Sequence, residues 1–256
     1  MENLLAYRVG SIQQPSLPFE QIAGLGIEGV EVMWNEETTA GDVEAGLKSS
    51  GLRMTSLCSR CPLEDDDLPR RLGALAAQGA QVGAISMFVS AHAGDEMSKQ
   101  EAYNRLRRLG DAVGKHRIYL ALETHPDLCQ NAANMLETMA AVNHPWVGVN
   151  YDTANIYYYN EHVDTVVELK KAAQYVRSVH LKDTYGGFRD GNFPVFGKGI
   201  VDFAAIADVL GGVGFTGPYT MELEGRNFDA RKPEELAEKV AACVAHLKKV
   251  GVVSKF

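Results

Sequence analysis

Cysteine is scarce in this chain. Its four residues, Cys58, Cys61, Cys129 and Cys243 in a length of 256, are too few and too irregularly spaced to staple a fold, so they are expected as reduced thiols. Cys58 and Cys61 form a CxxC, but no second CxxC or CxxH follows. The pair reads as two thiols beside a strand end rather than as half a zinc site or a redox pair. Basic charge is also short, with 25 Lys and Arg against 33 Asp and Glu and a net charge of −8. Phosphate recognition draws its affinity from clustered Lys and Arg, so no nucleic acid is expected as a partner. No apolar window nears the roughly 18 residues that a membrane span needs. The start, MENLLAYRVG, has an acidic second residue in place of a basic leader. The chain is therefore expected off the membrane, unprocessed and cytoplasmic.

What is present is a globular balance, 46% hydrophobic and 23% charged residues, in a chain long enough to bury a substantial core. Short apolar runs rich in β-branched residues recur, each followed by polar loop residues and then a stretch of helical period. Eight strands are expected, at 4–9, 29–33, 53–57, 84–89, 119–123, 148–151, 178–181 and 219–223. The clearest helices are 68–78, 99–115, 132–142, 163–175 and 233–250. The last carries Leu236, Val240, Cys243, Val244 and Leu247 at the spacing of one buried face, with Pro233 in its first turn.

Eight strand-helix units in 256 residues average about 32 residues each, and right-handed crossovers make the sheet parallel. An eight-fold alternation with no linker or low-complexity segment predicts one domain over 1–256, a single (β/α)8 TIM barrel. The doubly wound alternative lacks its GxGxxG fingerprint, since the first strand runs into VGSIQQPS.

The active site of such a barrel lies at the C-terminal ends of the strands. From strand five onward those ends are polar: ALETH with Glu123 and His125, NYDTAN with Asp152 and Asn155, HLKD with His180, Lys182 and Asp183, and MELEG with Glu222 and Glu224. Glu123, Asp152, His180 and Glu222 are one oxygen or nitrogen donor from each of four consecutive strands. Three carboxylates and an imidazole suit one divalent ion, Mn2+ before Mg2+, Co2+ or Zn2+, and without a cation the carboxylates would repel one another. Any one of them alone reads more readily as a cap or surface charge, but four at successive strand ends do not. Glu224 is the rival for the last position, because alternation puts it on the same face as Glu222.

ALETH, NYDTAN, HLKD, the segment FGKGIVDF at 196–203 and YTMELEG together resemble the xylose-isomerase-like TIM-barrel superfamily of sugar isomerases and epimerases. The resemblance implies that Glu123, Asp152, His180 and Glu222 bind one divalent metal, often manganese. It also implies that Glu123 and Glu222 act as an acid/base pair on a keto sugar or keto polyol, a small-molecule partner. Association with itself or with a second, non-identical subunit stays open. Two departures stand out. Asn155 occupies the place where sugar epimerases of this group commonly have a histidine; it cannot exchange a proton near neutral pH and is assigned to substrate binding. His125, two residues after Glu123, makes the chain similar to inosose dehydratases and the catalytic subunits of C-glycoside deglycosidases, in which a lyase reaction would use His125 as acid or base. The remaining alternative is a catalytically silent barrel, which would be expected to have lost one of the four ligands.

Softer assignments complete the set. Lys182 is expected either to neutralise an oxyanion or to point outward, and Asp183 either to orient His180 or to cap a helix. Trp34, with Tyr157, Tyr158 and Tyr159, is expected to wall a sugar pocket, at least one of the tyrosines being core. FGKGIVDF is read as shaping the rim, with Asp202 capping the next helix.

Overall fold

The computed structural model of the chain describes residues 3–35 and 37–252. Eight strands run in chain order: β1 (Leu5–Ser11), β2 (Gly29–Met33), β3 (Arg53–Cys58), β4 (Ser86–Val89), β5 (Tyr119–Glu123), β6 (Val147–Asp152), β7 (Val176–Leu181) and β8 (Tyr219–Met221). Every neighbouring pair is parallel, and β1 pairs with β2 on one side and β8 on the other, through Ala6↔Gly29 and Ala6↔Thr220, so the sheet closes. The expected barrel is what forms. All eight predicted strands are present with ends shifted by at most two residues; the eighth, for example, stops at Met221 rather than Leu223.

The helices between them are α1 (Phe19–Gly24), α2 (Ala40–Ser50), α3 (Leu68–Gln81), α4 (Lys99–Gly114), α5 (Ala132–Val142), α6 (Asn155–Tyr159), α7 (Thr165–Ala172), α8 (Phe203–Gly212) and α9 (Pro233–Lys249). α9 buries the predicted stripe of Leu236, Val240, Cys243, Val244 and Leu247, and each such aliphatic side chain taken from water is worth about 1.5–3 kcal/mol. α2 could not be read from a stripe, because Val43 is its one buried residue. Its ends are set by local chemistry instead: Thr39 and Asp42 form a reciprocal capping box, and Gly51 closes the C-terminus at φ 74°. The single helix expected at 163–175 is α7 followed by a 3-10 turn, Ala173–Tyr175, and it starts where the Asp164 side chain accepts from the Val167 N–H. No helix among the described residues is long and apolar enough to cross a membrane.

β4 and β6 are buried along their whole length, as parallel strands covered on both faces must be. Their polar residues are therefore informative, because a charge at such a position needs a partner inside the barrel.

Candidate metal centre at the barrel mouth

Glu123 ends β5, Asp152 ends β6, His180 is the next-to-last residue of β7, and Glu222 directly follows β8. Parallel pairing sets Glu123 beside Asn150 and Asp152 beside His180. All four residues are buried, and they offer one donor atom each, all within 4.8 Å of one another.

The chain engages the outer atom of three of these groups and leaves the inner atom without a hydrogen bond. Asp152 Oδ1 accepts from the N–H groups of Ala154 and Asn155 at 2.8 and 2.9 Å, whereas Oδ2 accepts none. His180 Nε2 lies 3.1 and 3.2 Å from the two oxygens of Glu31, whereas Nδ1 has no hydrogen-bond partner. Glu222 Oε1 is paired with the Arg8 guanidinium, whereas Oε2, 3.3 Å from His180 Nδ1, accepts no hydrogen bond. The fourth, Glu123, is held on both oxygens, by the Asn155 amide at 3.2 Å and by the Ser90 hydroxyl. Three inward acceptors that would each be costly to bury unpaired thus converge on one point. A divalent cation fits that donor set.

Two fixed cations partly neutralise the site. The Lys182 ammonium sits 3.1 Å from Asp152 Oδ2, 2.6 Å from Glu222 Oε2 and 2.7 Å from Glu224 Oε1. Its approach to the first two is an ion pair without hydrogen-bond alignment, which leaves those oxygens free to accept. Burial pulls the Lys182 ammonium toward neutrality, but Asp152, Glu224 and Glu123 outweigh it and hold the group above the usual lysine range. Glu31, Glu123, Asp152, Glu222 and Glu224 are five carboxylates against Lys182 and Arg8, so negative charge still dominates. Burial, with a smaller push from Asp152, raises the Glu123 carboxyl above the ordinary value despite His180 and Lys182. For Glu31 burial also pushes up, but His180, Arg8 and Ser56 outweigh it and its carboxyl stays below the usual range.

A cavity of about 1470 Å3 opens over the cluster. Trp34, Tyr158 and Tyr159, three of the aromatics expected to wall a pocket, line it, and so do His125, Asn155 and Glu224. Tyr157 belongs to the core, with its hydroxyl oxygen accepting from the Thr165 N–H. His125 is half-buried just past β5, its ring 4.4 Å from that of His92 and 4.6 Å from that of Tyr159. Burial is the main cause that lowers its imidazole below the usual histidine value. Asn155, expected to bind substrate, has its amide tied to Glu123 and to the Thr124 carbonyl.

Asp183 takes up neither of its two expected roles, orienting His180 or capping a helix. Its carboxylate accepts from the backbone N–H groups of Thr184, Gly197, Gly199 and Val201 and pins FGKGIVDF over the end of β7. A Cβ on Gly199 would sit 2.3 Å from Asp183 Oδ1, which is why the motif needs glycine there. The reading of that motif as a shaped rim stands, and Asp202 caps α8 through the Ala205 N–H. The partner of His180 is Glu31, which sequence reasoning missed together with Arg8, Ser56 and Ser90. The available signal was a lone charge inside an apolar strand, GVEVM for Glu31 and LAYRVGS for Arg8. Cys58 and Cys61 are free, buried thiols, the first at the end of β3, as read.

Comparison with known proteins agrees with the fold. The sequence profile of the Xylose isomerase-like TIM barrel family matches residues 19–249. The chain belongs to that family. Among curated proteins, this family member is similar to a 3-dehydroshikimate dehydratase of Bacillus anthracis, 27% identical over a stretch that covers 43% of this chain and 45% of that enzyme. The match thus spans less than half the length of that relative. Among solved structures, a xylose isomerase domain protein from Planctomyces limnophilus superposes with a TM-score of 0.80 at 20% identity, covering 98% of both chains. A D-allulose 3-epimerase from Methylomonas sp. does so with a TM-score of 0.74 at 15% identity, over 97% of this chain and 98% of that one. At those identities the structures speak for the fold.

Proposed function

We propose that this protein is a divalent-metal-dependent isomerase or epimerase that abstracts the proton next to the carbonyl of a small keto sugar or keto polyol. The observation that carries the reading is the convergence of Asp152 Oδ2, His180 Nδ1 and Glu222 Oε2, three buried acceptors without hydrogen-bond partners, beside Glu123. Glu123, Asp152, His180 and Glu222 would hold the ion, Mn2+ before Mg2+, Co2+ or Zn2+ for this mixed oxygen and nitrogen set, which would supply Lewis-acid chemistry.

The chain's own residues supply the rest. Glu123, buried and held on its two oxygens by Asn155 and Ser90, is the base that removes the α-proton. Glu222 is the second acid/base group, held on its outer oxygen by Arg8. Lys182, held between Asp152, Glu222 and Glu224, is the cation assigned to stabilise negative charge that develops on a substrate oxygen. Trp34, whose buried Nε1–H has no partner among the described residues, offers a donor to a sugar hydroxyl, and Tyr158 and Tyr159 offer stacking faces. Metal-replete enzyme incubated in D2O with a panel of ketoses and keto polyols is expected to place deuterium on the carbon next to the carbonyl. Absence of exchange across the panel would remove this reading.

A second reading, elimination, is favoured by His125, which lines the same cavity as Glu123. The partial likeness to a dehydratase points the same way. An imidazole of lowered pKa is neutral at physiological pH and can take the proton or pass one to a leaving oxygen. His125→Ala separates the two. Metal stays bound in both cases, and turnover falls by at least about 10²-fold if the imidazole transfers a proton. Isomerisation by the two glutamates survives the change.

A further inference from the structure

Glu31 is fully buried on β2 and stands outside the cluster of candidate ligands. Pairing in register sets it beside Arg8 on β1 and Ser56 on β3. The Ser56 hydroxyl donates to Glu31 Oε2 at 2.5 Å, and Arg8 Nε lies 3.7 Å from Oε1. Thus held, the carboxylate reaches across the barrel to His180, 149 residues away in sequence, with both oxygens within 3.2 Å of Nε2. The Ser56 hydroxyl donates to it and the Arg8 guanidinium pairs with its charge, so it faces the imidazole as an acceptor. An acceptor there requires the proton on Nε2 and leaves the lone pair on Nδ1, the atom that faces Glu222 Oε2 and has no hydrogen bond of its own.

We propose that Glu31 is the positioning residue of the metal centre, fixing the tautomer and orientation of His180 so that Nδ1 is presented as a ligand, with Ser56 locking the Glu31 rotamer. This inference rests on the metal reading above. Carboxylates that accept from the distal N–H of a ligating histidine raise its basicity and fix its ring, and their loss typically weakens metal binding about 10–100-fold.

The test uses Co2+ as the probe. In the Co2+-loaded wild type, the His180 Nε2–H is expected as a hyperfine-shifted proton resonance that exchanges slowly with water, because it is buried against Glu31. Glu31→Ala is expected to bind Co2+ about 10–100-fold more weakly by calorimetry and to lose that resonance to fast exchange. Glu31→Gln, which keeps an acceptor oxygen, recovers part of both. A merely structural Glu31 would lower thermal stability and leave the affinity of the folded protein and the resonance unchanged, which overturns the proposal. If Glu31→Ala does not fold, Ser56→Ala keeps the carboxylate but frees its rotamer. Faster exchange and several-fold weaker Co2+ binding then support the proposal, and wild-type values for both overturn it. Wild-type protein that takes up no Co2+ sinks the metal reading itself, a result distinct from intact binding in the Glu31 variants.

Discussion

The two halves of the barrel mouth do different work with the same kind of residue. On the side of β5 to β8 stand Glu123, Asp152, His180 and Glu222, three of them with an acceptor atom left open toward a common point. On the side of β1 to β4 stand Arg8, Glu31, Ser56 and Ser90, whose polar atoms are engaged with one another or with the first set. Phe88, also on that side, packs its ring 4.5 Å from that of His180. On the proposed reading, open acceptors belong to the half that would receive an ion, and engaged ones to the half that would hold those acceptors in place. Burial alone does not tell them apart, since Glu31 and Asp152 are equally inaccessible.

The strongest way to break this comparison is His180→Ala. Wild-type protein purified without chelator is expected to carry about one Mn-like ion per chain by elemental analysis, and the variant close to none. Full metal content in the variant would mean that the open half has been misassigned.

Next in size is Lys182→Met. Lys182 is 2% exposed and contacts three carboxylates, and removing one side of a buried ion pair costs about 3–5 kcal/mol. Urea denaturation in the presence of chelator is expected to show that loss. Saturating Mn2+ is expected to restore much of it, because the ion takes over neutralisation of the open half. A loss that Mn2+ leaves untouched would show that Lys182 stabilises something other than the metal-facing oxygens.

Asp183→Asn sharpens the holding side. The amide presents donors to backbone N–H groups that need an acceptor, and the expected cost is about 1–3 kcal/mol of stability. Metal affinity is expected to stay at the wild-type value, since Asp183 pins the 196–203 segment and does not touch His180. A variant that loses metal with stability unchanged would return Asp183 to the role of orienting His180.

The smallest effect concerns the CxxC. Burial pushes the Cys58 and Cys61 thiols up from an ordinary 9.0 to about 12, so at pH 8 the thiolate fraction is on the order of 10⁻⁴. Native protein at that pH is expected to resist iodoacetamide, as read by mass spectrometry, and denatured protein to be labelled. The sign of the pH effect follows. The folded pKa lies above the unfolded one, so this contribution to stability is intact below pH 9 and is lost as pH rises from 9 toward 12. Rapid labelling of the native pair at pH 8 would show a reactive thiol and reopen the redox reading.

Much of this was legible beforehand, and unevenly. The eight strands were found because parallel strands read as short apolar runs, and α9 because its buried stripe recurs at helical spacing. α2 was not, because its identity lies in a capping box and a left-handed glycine rather than in burial. The four candidate ligands were legible because each lies at or within one residue of a strand end, where polar residues follow apolar ones in sequence. Asp183 was misread for the same reason: one residue of adjacency to a strand end does not tell which way a carboxylate turns.

What the sequence by itself determined was the periodic part, the strand and helix alternation, its eight-fold count and the polar strand ends, because these depend on neighbours a few residues apart. What only the tertiary structure decided was pairing across the barrel. Glu31 meets His180, Arg8 meets Glu222, Ser90 meets Glu123, and Lys182 reaches Asp152 and two glutamates at once. Barrel closure sets those meetings by bringing distant strand ends onto one small circle, where a side chain's role depends on what faces it from the other side.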